Sequence, residues 1–150
     1  MHPAIIDQAH VKAFILAGKA AFTVVNTKTG NRFTFRVKWP KKCPKERRPY
    51  APLYVTVLVG PNNSRNYAYL GAIFDRKRFA RTSGVKISES TIQAKAWKYV
   101  WERLNSTDGL LPDFVQVWHE GRCAHCGKRL TVPESISRGL GPECAERVGL

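Results

Sequence analysis

Three of the four cysteines lie in one short segment, and their spacing is typical of a metal site. Cys123 and Cys126 are separated by two residues, so both sulfurs can reach one ion from a tight turn, and Gly127 can adopt the positive φ of such a turn. Cys144 follows Gly141-Pro142, a pair that predicts a helix start whose dipole and free amides favour a thiolate. Because zinc prefers tetrahedral sulfur and nitrogen ligands, the pattern predicts a Zn²⁺ site.

The fourth ligand is less closely specified by the spacing. His119 lies four residues before Cys123 and is the candidate that we favour. His125 lies inside the Cys-x-x-Cys turn, where a side chain generally points away from the metal, and a water molecule or a distant group is the remaining alternative. Four protein ligands would close the site and make it structural. Reduced or redox-active thiols without metal are the plainer interpretation, but three cysteines beside turn-forming glycines favour a metal.

From Gly121 to Cys144 the segment reads G-R-C-x-x-C-G-K-x-L-T-x-P-x-S-x-x-x-G-L-G-P-x-C. This pattern resembles a small zinc-ribbon-like domain of unknown function that is frequent in phage and actinobacterial proteins, often at the end of a longer chain. The resemblance covers residues 119–147. It implies the three cysteines as metal ligands and supports a phage source, but it implies no biochemical activity, and residues 1–112 carry no such resemblance.

The remaining sequence predicts an α+β domain over residues 1–112, followed by a small C-terminal zinc module over residues 113–150. Alternating apolar and polar residues predict strands, and their short connections predict a four-stranded antiparallel meander. The predicted strands are 21–26, 31–39, 53–59 and 66–74. Residues 110–118 read as a linker or a short strand.

One or two helices are expected to pack on this sheet. A short helix is predicted within residues 3–17, ending at Gly18, and a longer one from Ser90, as N-cap, to about Leu104. Its apolar stripe is formed by Trp97, Val100, Trp101 and Leu104. In the zinc module, a capping box at Thr131 to Glu134 predicts a helix over about 132–138.

The chain is strongly basic, with 25 Lys and Arg against 11 Asp and Glu and a formal charge of +14. Such an excess favours a polyanionic partner, of which nucleic acid is the commonest, although charge that only maintains solubility is the plainer interpretation. No apolar run approaches the ~20 residues of a membrane span, and no secretory pattern is seen, so no membrane partner is expected. The expected location is the cytoplasm, of a bacterial host if the protein is phage-encoded.

The candidate nucleic-acid contacts are cations and tyrosines of the strands and of two basic segments: Arg32, Arg36, Lys38, Lys41, Lys42, Lys45, Arg47, Arg48, Tyr67, Tyr69, Arg76, Lys77, Arg78 and Arg81. Tyr54 could also stack. The loop at 41–48 concentrates charge that the fold does not need. Tyr67 and Tyr69 share a strand face with Ile73, which favours core packing at least as much as stacking. Without a recognition helix, single-stranded nucleic acid is favoured over duplex.

Enzymatic activity is not expected. The acids form no spaced pair, and the sequence contains no serine elbow, P-loop or HExxH motif. The order of His119, Glu120 and the Cys-x-x-Cys pair also differs from that of a zinc deaminase. Two hypotheses follow: a zinc protein that binds single-stranded DNA or RNA through a basic sheet face and loop, or a phage interaction module that docks an acidic host protein.

Overall fold

One antiparallel sheet organises the chain, as seen in a computed structural model that describes residues 4–61, 65–130 and 133–147. Its strands are β1 (Ala4–Ile5), β2 (Lys19–Asn26), β3 (Arg32–Lys38), β4 (Leu53–Leu58), β5 (Tyr67–Phe74), β6 (Arg78–Ala80) and β7 (Val115–His119). Their order in the sheet is β1-β7-β2-β3-β4-β5-β6, and every neighbouring pair is antiparallel. The predicted α+β class is confirmed.

The predicted count of four strands is wrong, because the described residues form seven. The meander of β2 to β5 is as predicted, but β1 and β6 have only two and three residues, too few to show an alternating pattern. The segment read as a linker or short strand is β7, which inserts between β1 and β2. The division at residue 112 stays a prediction, and the chain passes from a strand of the sheet directly to the cysteines.

The helices are α1 (Val11–Ile15), α2 (Ile92–Leu104), α3 (Pro133–Arg138) and α4 (Pro142–Arg147). The helix predicted within residues 3–17 is much shorter, because its first residues pair with β7 and a 3-10 turn precedes α1. The N-cap of α2 is Thr91 and not Ser90. The hydroxyl of Thr91 accepts from the amide of Ala94 at 3.3 Å, whereas the Ser90 hydroxyl is bonded to that of Ser88. The proposed capping residue Thr131 lies outside the described residues.

The core lies on one face of the sheet, which we call the inner face. Trp97 of α2 packs against Phe35 and Phe79, with ring centroids 5.5 and 5.7 Å apart, and stacks on Trp101. The whole apolar stripe of α2 is buried, as predicted. At the other end of the inner face, Phe14 of α1 contacts Phe22 of β2 at 5.9 Å. Helices α1 and α2 therefore cover the same side of the sheet.

The opposite side, which we call the open face, carries polar, basic and aromatic side chains that register and alternation place together. They include Thr23, Arg32, Thr34, Arg36, Lys38, Tyr54, Thr56, Tyr67, Tyr69 and Trp118. The apolar residues that alternate with them, such as Phe35 and Val37, are fully buried on the inner face. The sequence prediction that β3 has one buried and one basic face is confirmed.

A β-bulge decides the position of the β5 tyrosines. Val55 of β4 pairs with Gly71, but the next residue, Thr56, pairs with Tyr69, so Leu70 is the extra residue. Ile73 therefore lies on the inner face, where it is buried, while Tyr69 lies on the open face. The sequence interpretation that placed both tyrosines on the face of Ile73 assumed an unbroken alternation and is wrong.

Candidate functional site

The first two cysteines lie in a tight turn, as their spacing predicts. Arg122 and Arg129 form an antiparallel bridge, and the amide of Cys123 donates to the carbonyl of Lys128 at 2.8 Å. The amide of Gly127 donates a hydrogen bond to the carbonyl of Cys123 at 2.8 Å, and Gly127 has φ +82°. A side chain at that position would strain the turn, so the glycine allows Cys123 and Cys126 to present their sulfurs on one side.

Cys144 approaches from the other direction, in the first turn of α4. Helix α3 ends at Arg138, and the next residue, Gly139, has φ +72° and donates its amide to the carbonyl of Ser135 at 2.8 Å. Helix α4 then begins at Pro142, as the sequence predicts. We refer to residues 121–130 and 133–147, which contain the turn and these two helices, as the cysteine module.

The sulfurs of Cys123, Cys126 and Cys144 all lie within 4.8 Å of one another, and none of them forms a disulfide. A tetrahedral zinc ion with bonds of about 2.3 Å holds sulfurs about 3.8 Å apart, so a small inward movement would suffice. Three cysteines in this arrangement could hold a metal ion. No other Cys, His, Asp or Glu of the described residues joins the group.

The amides around Cys123 favour its thiolate. Burial opposes ionisation of this thiol, but hydrogen bonds from the backbone amides of Gly141, Cys126 and His125 outweigh it, and the pKa of Cys123 lies below its usual value. Burial and the two neighbouring thiols raise the pKa of Cys144 instead. The amide at the start of α4 therefore serves Cys123, and not Cys144 as the sequence suggested. A cation between the sulfurs would relieve this crowding of negative charge.

His119, predicted as the fourth ligand, lies outside the sulfur cluster. As the last residue of β7 it follows Val115 and Val117 onto the inner face, where it is 2% exposed and packs beside Phe14. Its Nε2 donates to the carbonyl of Ile136 at 2.7 Å, and its Nδ1 accepts from the amide of Gly121 at 2.9 Å. Both ring nitrogens are thus engaged, and burial lowers the pKa of the ring, which favours the neutral form.

His125, the alternative ligand, also points away from the sulfurs. Its Nδ1 lies 3.0 Å from the carbonyl oxygen of Ala17, and its ring stands edge-on to Trp39 with centroids 5.4 Å apart. Both histidines instead connect the cysteine module to the rest of the fold.

Backbone contacts fix the cysteine module against the sheet. The amide of Lys19, at the start of β2, donates to the carbonyl of Ala124 at 2.6 Å. The amide of Asp7 donates to the carbonyl of Ser137 at 2.9 Å. Gly139 lies so close to the ring of Phe14 that a Cβ there would collide with it. The sulfur cluster therefore has a defined place beside the first residues of β2.

The open face brings together five of the predicted nucleic-acid contacts: Arg32, Arg36, Lys38, Tyr67 and Tyr69. The guanidinium of Arg36 lies over the ring of Tyr67 at 4.0 Å. Burial, with the nearby charge of Arg36, lowers the pKa of Lys38, while Glu120 opposes this.

Further aromatic rings complete this surface. Tyr54 meets Tyr69 edge-on with centroids 5.8 Å apart. Arg32 lies 5.9 Å from the ring of Trp118, a residue that the sequence reasoning missed. The sequence did indicate this position for Trp118, because Gln116 and Trp118 alternate with the two buried valines of β7.

The predicted basic loop is exposed beside one end of the sheet. Lys41, Lys42, Lys45 and Arg47 are exposed, and residues Lys45–Arg47 form a 3-10 turn. Arg48 differs from them, because its guanidinium lies over the ring of Trp39 at 4.5 Å. The loop is therefore anchored at one residue and presents its other cations to solvent.

The second basic segment is spread over several surfaces. Arg78 extends the open face to the sheet edge, 4.9 Å from the ring of Phe74. Arg76 donates to the carbonyl of Leu16, near the end of α1. Arg81 pairs with Glu89 at 3.2 Å. The fourth cation, Lys77, accepts a hydrogen bond from the indole of Trp101 through its carbonyl oxygen. The structure thus does not bring these four residues together.

Comparison with known proteins concerns only the C-terminal segment. Residues 118–149 match a family of unknown function (DUF6011). The match includes all three clustered cysteines, so the resemblance to a domain of unknown function is confirmed. No curated protein and no solved structure matches the chain. Among the described residues, no helix has the length and apolarity needed to span a bilayer.

Proposed function

We propose that this protein binds single-stranded nucleic acid on the open face of its sheet. The observation that supports this most directly is the pairing of cations with aromatic rings there, with Arg36 over Tyr67 and Arg32 near Trp118. Single-strand binders combine aromatic rings, on which bases stack, with cations that contact the phosphates. Helices α1 and α2 pack on the inner face, so a single strand of nucleic acid on the open face would contact these side chains directly.

The spacing of the rings suits a short single strand. Trp118 on β7 and Tyr67 on β5 are separated by three intervening strands, which corresponds to about 19 Å across the sheet. Burial raises the pKa of Tyr67, so its hydroxyl stays neutral and its ring offers an uncharged stacking surface. A few nucleotides could cross the face between these rings, with Arg32, Arg36 and Lys38 beside their phosphates.

We propose Zn²⁺ as the metal of the cysteine module, held by Cys123, Cys126 and Cys144 in a zinc-ribbon-like knuckle. Three thiolates suit a borderline-soft ion that needs no redox chemistry. When bound, the ion would neutralise thiolate charge and join the turn to α4. Because His119 is held by Ile136 and Gly121, we assign it a structural role, and the fourth ligand comes from another group.

The proposed function is tested by salt-titrated binding of a short labelled single-stranded oligonucleotide, as DNA and as RNA. We expect log Kd to rise linearly with log salt from ~50 to ~200 mM, with a slope of about 0.7 for each neutralised phosphate. Arg36→Gln with Lys38→Gln should lower that slope by about 1.4. The matched control is Lys95→Gln with Lys98→Gln, which removes the same charge from the exposed side of α2.

Equal losses in the two double variants, a flat salt response or no binding at low salt would contradict the proposal. The alternative from the sequence, an acidic protein partner, predicts a stoichiometric complex that survives nuclease treatment and that the same open-face variant weakens. A nucleic-acid partner also agrees with the cytoplasmic location and the absence of enzymatic activity expected from the sequence, both of which stay predictions.

A further inference from the structure

A basic groove of about 650 Å³ lies between the cysteine module, the end of α1 and the loop that follows β3. Four cations from three segments of the chain line it: Lys19, Lys45, Arg48 and Arg76. No acidic side chain is among its described lining residues. Cys126, one of the three clustered cysteines, lies at its border, so the groove adjoins the metal site.

Two of these cations are held in place by their surroundings. Arg76 and the preceding Asp75 have φ values of +58° and +54°, an unfavourable conformation for residues with side chains, and Arg76 donates to the carbonyl of Leu16 at 3.3 Å. Arg48 stacks on Trp39, and its Nε is buried with no hydrogen-bond partner among the described residues. The positive φ values belong to the tight turn that joins β5 and β6, and the Leu16 carbonyl and the Trp39 ring keep these two cations at the groove.

Four like charges around one concavity repel one another, and no acid of the groove offsets them. An anion with several oxygen acceptors would remove the repulsion and satisfy the free guanidinium donor, and phosphate has this geometry. Trp39 forms the wall between Arg48 and His125, so it would report on any anion that binds there.

We propose that this groove binds a phosphate group of the single strand that lies on the open face. Lys19, which lines the groove, is paired with Lys38 at the end of the open face, so a strand leaving that face would pass from one to the other. The nucleic-acid identity of the ligand rests on the proposed function, whereas the anion site itself does not. The phosphate is either internal or at a strand terminus.

The anion site is tested first with inorganic phosphate on the full chain. The indole N–H signals of the four tryptophans are followed by NMR at fixed pH, with chloride at matched ionic strength as the control. We expect the Trp39 signal to move with phosphate and those of Trp97 and Trp101 to stay. Arg48→Gln should weaken this response about tenfold, because a charge-assisted bond is lost. An unmoved Trp39, or an equal response to chloride, would overturn the site.

The link to the open face is tested with oligonucleotides carrying a 5′ phosphate, a 3′ phosphate or neither. Lys45→Gln with Arg48→Gln is compared with Lys41→Gln with Lys42→Gln, which removes the same charge from the same loop outside the groove. We expect the groove variant to lose at least about tenfold more affinity. A loss confined to one phosphorylated oligonucleotide identifies a terminal phosphate, and an equal loss for all three identifies an internal one.

The two proposals fail in different ways. If the wild-type protein binds oligonucleotides but both loop variants lose affinity equally, the groove proposal is wrong and the proposed function stands. If no oligonucleotide binds while phosphate still moves Trp39, the proposed function is wrong and the anion site stands.

Discussion

The sheet and the cysteine module lie side by side, yet different interactions stabilise them. The sheet has strands of six to eight residues in β2 to β5 and a core centred on Trp97. The module has two helices of six residues each, far shorter than the ~12–15 residues that an isolated helix needs. Both regions share one buried core, which includes Leu140 and Ala145 of the module. The module has little structure of its own, so we expect its stability to depend on its contacts with the sheet and on the proposed metal ion.

We assign nucleic-acid binding to the sheet and a structural role to the cysteine module. The proposed stacking surface is rigid because its side chains stand on paired strands with a buried inner face. The module forms one end of the groove, and the hydrogen bond from the Lys19 amide to the Ala124 carbonyl holds it against β2. Loss of the metal should therefore disturb the module strongly and the open face weakly.

The largest effect is expected for Cys144→Ser. Removing one of three sulfurs should abolish stoichiometric metal and ease local opening of the module by at least about 3 kcal/mol, since metal binding is folding energy in such small modules. Metal analysis and hydrogen exchange at the amides of Ala124 and Leu130, which are bonded within the module, measure this. Cys43→Ser is the control and should keep its metal. If Cys144→Ser instead unfolds the sheet, the separation into two regions is wrong.

A smaller effect is expected for Gly139→Ala. The φ of +72° and the collision with Phe14 should together cost about 2–4 kcal/mol in the free energy of unfolding. Gly30→Ala is the matched control, because Gly30 has a similar φ of +78° with open space around it, and it should cost about 1 kcal/mol. Denaturant unfolding measures both. Equal costs would show that the module does not pack on Phe14 as described.

His119→Gln should cost about 2 kcal/mol of stability, because the carbonyl of Ile136 and the amide of Gly121 lose a buried partner. Its metal content should not change, and neither should that of His125→Gln. Metal analysis with thermal unfolding distinguishes this structural role from ligation. Loss of metal from the His119 variant alone would restore it as the fourth ligand.

The smallest effect concerns the stacking surface. Tyr67→Leu should weaken oligonucleotide binding by about 1–2 kcal/mol, because one base loses its stacking ring, with little change in the salt slope. Tyr99→Leu, which changes an exposed tyrosine on α2, should leave the affinity as it is. Anisotropy titrations of both variants across the same series of salt concentrations check this. A change in slope without a change in affinity would indicate that Tyr67 acts only by placing Arg36.

The sequence predicted the sulfur cluster because its information is local. Two cysteines in one turn, a glycine after them and a proline that starts the next helix specify the geometry within a few residues. The role of His119 depends on a non-local event, the insertion of β7 between β1 and β2. The sequence places His119 in alternation with Val115 and Val117, which indicates a buried position in β7. Its distance of four residues from Cys123 indicated a metal ligand instead.

The open face was predictable in β3 and not in β5. A regular alternation in β3 places its arginines opposite Phe35 and Val37. In β5 the bulge at Leu70 reverses the faces beyond it, and the only local indication is Gly71, a glycine inside a strand with φ +146°. The groove could not be predicted at all, because its four cations come from three segments that are far apart in the chain.

The most direct test of the account is an NMR titration of the full chain with a short single-stranded oligonucleotide at low salt. The four indole N–H signals report on different parts of the fold: Trp118 on the open face, Trp39 at the groove, and Trp97 and Trp101 on the buried side of α2. The account predicts that the Trp118 signal moves with the oligonucleotide while those of Trp97 and Trp101 stay. Movement of the α2 signals with an unmoved Trp118 would contradict it.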